Sequence, residues 1–334
     1  MFSIAGAGDA GGKRGVAAHT YFCDCSMSDR KEAFVSADGE LLIVPQKGDL
    51  DIFTEMGRLN ISPKEICVIP RGIRFSVDAS CESRGYCLEL FKGSFELPSL
   101  GPIGANGLAN PRDFLYPTAW YDSSCDDAPW ELITKFCGSF FKSSLPASPF
   151  DVVAWHGNYA PFKYDLERFC AVGSVSYDHL DPSIYTVLTC PSDTPGEAIA
   201  DFVVFPNRWV CMEQSFRPPY FHRNVMSEFM GMIYGSYDAK KGFEPGGASL
   251  HTCMTPHGPD TATVQKARGE DTSKPQKFTG GLAFMFETSA ILKVPDRARK
   301  ASWRDTEYLD CWAGMPVATL EGCDRKPMRA AQYG

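Results

Sequence analysis

Leu41-Leu-Ile-Val44, Leu50-Asp-Ile-Phe-Thr54, Leu59-Asn-Ile61, Glu65-Ile-Cys-Val-Ile69 and Ile73-Arg-Phe-Ser-Val77 follow one another along one stretch, broken by Pro45, Gly48, Gly57, Pro63 and Pro70-Arg-Gly72. The runs are short and rich in Val, Ile and Phe. Leu50, Ile52 and Thr54 alternate with Asp51 and Phe53, and Ile73, Phe75 and Val77 alternate with Arg74 and Ser76. Alternation with a period of two marks strands that bury one face. Strands separated by turns every ~8–12 residues argue for a jelly-roll or related β-sandwich.

The same grammar extends outward. Strands are expected at 169–176, 183–188, 200–206, 228–237 and 281–286, with few and short helices. From 97 to 113 the chain is too rich in Gly, Asn and Pro for regular structure. Gly101, Gly104 and Gly107 are spaced three apart, unlike a dinucleotide-binding fingerprint, so this reads as an ordered loop. Polar breaks at 122–128 and 143–149 place a domain boundary near 147. The expected organisation is an N-terminal β-sandwich over 1–147 and a second sandwich over 148–334.

The chain has 334 residues, and its net charge of −8 argues against nucleic-acid binding. No apolar run is long enough to span a membrane, and the first residues lack a signal peptide's basic region and apolar core. The expected compartment is the cytoplasm. Thirteen cysteines occur without a C-x-x-C pair, which reads as free, mostly buried thiols. Cys23 and Cys25 would share one face if both lay on a strand.

Six histidines are present, five of them between 156 and 257. His222 and Glu228 are six apart. An extended strand would separate them by ~20 Å, so both reach one ion only if the chain bends over Arg223–Ser227. His257 stands in Thr255-Pro-His-Gly-Pro259, a rigid loop. Two His and one Glu leave coordination positions open and suit mononuclear Fe(II), although the same donors accept Zn²⁺ or Mn²⁺. The plainer reading is an ion pair of His222 with Glu228 and a loop-stabilising His257. His156, at a strand end in Val153-Ala-Trp-His-Gly-Asn-Tyr159, is suited to act as a base or to serve as a satisfied loop histidine. His251 and Tyr237 flank a Gly-rich excursion and could contact a phenol or carboxylate. His179 reads as a turn residue, and His19 as structural.

At these residues the sequence resembles the homogentisate 1,2-dioxygenases, Fe(II) ring-cleaving enzymes of phenylalanine and tyrosine breakdown. The resemblance rests on Leu42-Ile-Val-Pro-Gln-Lys-Gly48, Leu100-Gly-Pro-Ile-Gly-Ala-Asn-Gly-Leu-Ala-Asn-Pro-Arg-Asp-Phe114, Val152-Val-Ala-Trp-His-Gly-Asn-Tyr159, Phe216-Arg-Pro-Pro-Tyr-Phe-His-Arg-Asn224, Met226-Ser-Glu-Phe-Met-Gly231 and Met254-Thr-Pro-His-Gly-Pro-Asp260. It covers the chain from about Gly6 to Trp312.

The resemblance implies an all-β fold of two sandwich units, the C-terminal one cupin-like. It implies Fe(2+) held by His222, Glu228 and His257, with His156 as active-site base. Tyr237, His251, Asn224 and His257 would line the substrate. The partners implied are homogentisate and O₂, with maleylacetoacetate as product and a hexamer built from two trimers. Pro70-Arg-Gly72 looks like a cupin turn, but Phe75 stands where that fold would carry a histidine ligand, so no metal is expected in the first half. The family carries a further N-terminal segment ahead of Gly6-Ala-Gly-Asp9. An incomplete first sandwich is therefore expected, and a non-catalytic binding or assembly subunit is the alternative function.

Overall fold

The computed structural model describes residues 1–99, 107–124, 128–172, 185–210, 213–315 and 317. Its architecture is three stacked sheets, with two α-helices of eight and four residues at Thr261–Arg268 and Asp296–Arg299 among the described residues.

The middle layer is a seven-stranded sheet. Its order is Phe2–Asp9, Arg14–Cys23, Ser83–Leu90, Glu40–Lys47, Glu65–Ile69, Phe162–Asp165 and Phe114–Leu115. A six-stranded sheet covers one face, in the order Ser139–Leu145, Trp130–Phe136, Glu32–Ser36, Phe75–Ala79, Leu50–Thr54 and Gly57–Ile61. A five-stranded sheet covers the other: Thr186–Pro191, Ala198–Phe205, Gly281–Thr288, Ser227–Gly235 and Ala248–His251.

The packing explains why neighbouring strands read so differently. Leu41, Ile43, Cys67, Ile69 and Cys87 point into one core with Ile52, Ile61 and Phe75 of the six-stranded sheet. Leu42, Val44, Ile66, Val68, Tyr86 and Leu88 point the opposite way, into a core with Phe202, Phe229, Phe284 and Phe286. A strand buried on both faces has no reason to alternate, so Leu41–Val44 is apolar throughout. Leu50–Thr54 has one face open and alternates: Leu50, Ile52 and Thr54 are buried while Asp51 is exposed. The two sandwiches thus share their central sheet. Tyr86 ties it to the second half, its ring 4.9 Å from that of Phe284 and its hydroxyl donating to Gly247 O at 2.7 Å.

Three local expectations change. Of the strand expected at 169–176, the described residues carry Cys170–Ala171, and Asp165 caps a 3-10 turn over Leu166–Arg168 just before it; residues 173–184, with His179, lie outside the described ones. In the glycine-rich loop, Asn110 likewise caps a turn over Pro111–Asp113, and residues 100–106 lie outside the described ones. Cys23 ends its strand, so Cys25 does not share its face; Cys23 Sγ instead donates to Cys25 O at 3.1 Å. All ten described cysteines are free, but only Cys67, Cys87 and Cys190 are buried. The strand Phe162–Asp165 still belongs to the middle sheet, paired with Glu65–Ile69. No helix among the described residues is long and apolar enough to cross a membrane.

Candidate metal centre

Glu228 lies on the strand Ser227–Gly235, between Gly281–Thr288 on one side and Ala248–His251 on the other. Its cross-strand neighbours are Glu287 and His251. It is 4% exposed. The bend that brings His222 to it is built by Asn224. The Asn224 side-chain oxygen accepts from Met226 N at 2.9 Å, closing a turn at the required place. Met254, in the loop that carries His257, adopts φ 63°, a left-handed conformation unusual for a side chain of its size. Its N–H donates to Asn224 O at 2.7 Å, so one residue anchors both histidine-bearing loops.

The two histidines are paired through their backbones. His222 N donates to His257 O at 2.8 Å and His257 N to His222 O at 2.9 Å. Gly258 permits this approach: a Cβ there would lie 2.7 Å from Phe221 Cα. The nitrogen, imidazole and carboxylate donors of His222, Glu228 and His257 lie within 4.8 Å of one another, the one such group among the described residues.

Each imidazole is fixed in the same tautomer. His222 Nδ1 lies 2.5 Å from Tyr220 O, and His257 Nδ1 lies 2.8 Å from Thr255 O. A carbonyl only accepts, so Nδ1 carries the proton and Nε2 keeps its lone pair. Backbone carbonyls commonly orient metal-ligating histidines in this way. His257 Nε2 is buried without a hydrogen bond, 2.9 Å from Glu228 Oε2 but outside donor geometry. An orphaned buried nitrogen beside a carboxylate is what a metal ligand looks like without its ion. The donor set fits a divalent metal.

The three groups are also coupled electrostatically. Burial works to raise the Glu228 carboxyl, but contacts from His251 and His257, the His257 charge and Asn224 hold it well below the usual carboxylate range. Burial likewise works to lower His257, and Glu228 with the Thr255 carbonyl outweighs it, leaving it raised. His251 is lowered, chiefly by burial.

The other expected site residues divide. His251 is in the cluster, its ring stacked 4.0 Å from that of His257 and its Nδ1 3.7 Å from Glu228 Oε2. Tyr237 packs edge-on between Phe205 and Phe243, at 5.8 and 6.1 Å; burial raises its phenol, with the charges of Asp238 and Glu228 adding. Asn224 donates to Glu228 Oε1 at 2.8 Å and Glu287 Oε1 at 2.9 Å, so its amide protons serve the carboxylates. His156 is exposed on an irregular segment, and no hydrogen bond or ring contact among the described residues joins it to the cluster. Its neighbours Trp155 and Tyr159 contact Tyr116 and Arg71 instead.

Tyr308 and Trp312 escaped the reading of the sequence. They lie on a 3-10 turn over Tyr308–Trp312 that crosses the ligand loops. Tyr308 OH is 2.6 Å from His251 Nε2, and Trp312 Nε1 donates to Gly258 O at 3.0 Å. Their spacing gave no signal, since on a 3-10 turn it is residues three apart that align.

The family model described as Homogentisate 1,2-dioxygenase N-terminal matches residues 1–166, and its C-terminal counterpart matches residues 167–319. A relative named Homogentisate 1,2-dioxygenase from Mus musculus is 53% identical over 314 residues, 93% of this chain and 70% of the relative. Among solved structures, a salicylate 1,2-dioxygenase from Pseudaminobacter salicylatoxidans is a weak likeness. Its TM-score is 0.38 at 12% identity, over 84% of this chain and 74% of that one. A cupin 2 barrel protein from Leptotrichia buccalis is more distant, at TM-score 0.29 and 8% identity, over 82% and 83%. Matched along both halves and more than half identical to one such enzyme, the chain belongs to the homogentisate 1,2-dioxygenase family.

Proposed function

We propose that His222, Glu228 and His257 hold a ferrous ion with which this dioxygenase opens the ring of homogentisate to maleylacetoacetate. The observation that carries this reading is the gathering of donor atoms from His222, Glu228 and His257 within 4.8 Å, with both Nδ1 atoms tied to backbone carbonyls, in a chain of this family. When bound, the ion supplies a Lewis acid for the phenolic oxygen and a redox partner for O₂. Two imidazoles and one carboxylate leave positions open for both substrates.

The remaining residues bind, orient and exclude water. Asn224 holds Glu228 Oε1, and His251 faces Oε2. Tyr237 forms an aromatic wall with Phe205 and Phe243. Phe221 and Trp312, 5.8 Å apart and edge-on, cover the loop that carries His257. His156, the base implied by resemblance, lies outside this cluster within one chain. The wider reading is a cytoplasmic enzyme of phenylalanine and tyrosine catabolism, assembled as a hexamer of two trimers.

The test is oxygen uptake by the purified chain with Fe²⁺, ascorbate and homogentisate, beside His222→Ala. Uptake of one O₂ per homogentisate, abolished by the substitution, is expected. An iron-loaded protein that consumes no oxygen would favour the non-catalytic binding subunit.

A further inference from the structure

We infer that Tyr308 is a positioning residue that fixes the tautomer of His251 and, through it, the carboxylate ligand Glu228; this rests on the metal reading above. The juxtaposition is a directed chain of four side chains. Ser249 and His251 sit two apart on the strand Ala248–His251, on one face. The Ser249 side chain lies beside the Tyr308 hydroxyl. Glu228 Oε2, which only accepts, faces His251 Nδ1 and favours a proton there, so the phenolic proton points to His251 Nε2, 2.6 Å away. A histidine that accepts at Nε2 carries its proton on Nδ1. Nδ1 faces Glu228 Oε2 at 3.7 Å, a distance that orients by charge and closes to a hydrogen bond with a small shift.

Both oxygens of Glu228 are then addressed by N–H groups, Oε1 by Asn224 and Oε2 by His251. Without Tyr308, the neutral imidazole could place its proton on Nε2 and turn a lone pair toward the carboxylate. That would repel the oxygen it now steadies. Such outer partners typically change metal affinity by ~10–100-fold when removed.

Tyr308 is itself held by two further side chains. The Lys240 ammonium sits 3.2 Å from its ring centroid, and no carboxylate lies within ion-pairing distance of Lys240 among the described residues. Trp312 packs edge-on at 5.5 Å and is hydrogen-bonded to Gly258, one residue beyond His257. Burial raises the phenol, so the hydroxyl keeps the proton it donates. The turn at residues 308–312 therefore straps the carboxylate side and the histidine side of the site together.

Iron release into a chelator, followed anaerobically for the holoprotein, tests this with Tyr308→Phe, His251→Gln and the double variant. Tyr308→Phe keeps the ring against Lys240 and Trp312 and removes only the hydroxyl. Release about tenfold or more faster than wild type is expected, with the metal-free protein melting within about 2 °C of wild type. The double variant should release iron no faster than His251→Gln alone, since both changes break one chain. Unchanged release from Tyr308→Phe, or effects that add in the double variant, would overturn the inference. A wild type that takes up no iron, or retains it equally after His222→Ala, removes the metal reading and this inference with it. Iron held by wild type and released unchanged by Tyr308→Phe removes this inference alone.

Discussion

Among the described residues stand two buried pairings of histidine with glutamate, one in each half, and they are built for opposite ends. In the first, His19 Nε2 stands 3.5 Å from Glu89 Oε2, and Ser3 Oγ lies 3.0 Å from its Nδ1. The Lys135 ammonium contacts Glu89 and lies 3.6 Å from Asp38. Ser36 Oγ donates to Glu89 Oε1 at 3.2 Å, and Asp38 accepts from the N–H groups of Cys137 and Gly138 at 2.5 and 2.8 Å. A permanent cation fills the centre. In the second, no Lys or Arg pairs with Glu228 among the described residues, and the imidazole lone pairs converge on it. Both carboxyls are pulled below their ordinary range against the burial that would raise them, Glu89 by His19 and Lys135, Glu228 by histidines and an amide. Residue types alone do not distinguish a clamp from a metal centre. The presence or absence of a resident cation does.

The strongest test of that contrast is His222→Ala. It should cost about a thousandfold or more in oxygen uptake, since metal catalysis supplies several kcal/mol, and iron analysis should show the ion lost. Urea denaturation of the metal-free protein should move little. Lys135→Met is the converse experiment. It strands Glu89 and Asp38 without their cation, and losing one partner of a buried pair costs ~3–5 kcal/mol. The urea midpoint should fall accordingly, while iron per folded chain stays at the wild-type ratio.

Glu40 supplies a third, intermediate case: a buried carboxylate with neither lysine nor histidine beside it. Burial pushes it up to about 7, against the Phe95 N–H that donates to it at 2.6 Å. A carboxyl raised on folding contributes stability below its unfolded pKa and loses it as pH climbs through the folded value. Stability should therefore decline between about pH 4.5 and 7 by up to ~2–3 kcal/mol from this group. Glu40→Gln should flatten that decline and raise the melting temperature at pH 8 but not at pH 4.5. The smallest effect belongs to His156, which stands outside both clusters. Its replacement by Ala should leave kcat within about threefold, where losing a general base costs 10²–10⁴. A larger loss, with a displaced pH profile, would return it to the site.

Much of this was legible in the chain. Alternation in Leu50–Thr54 announced a half-buried strand because one of its faces meets solvent. Leu41–Val44 announced a strand but not its place, since an apolar run looks the same under one covering sheet or two. His222, Glu228 and His257 were legible as a donor set, while the Asn224 turn that unites them depends on contacts with Met226 and Met254. Tyr308 was not legible, because its role is defined by a partner 57 positions away. Asn224 was expected to line the substrate, but its engagement with Glu287 comes from a neighbouring strand that no local reading reaches.

The shared middle sheet has a consequence for inheritance. Leu42, Val44, Val68 and Leu88 belong to the catalytic half's core although their strands are encoded in the other half. Cutting the gene between residues 166 and 167 would give one product with a bare apolar sheet face and another missing the floor on which Phe229 and Phe284 rest. Neither piece is a module that recombination could lend to another protein. The two halves can diverge only in step, as two rooms must when they share one wall.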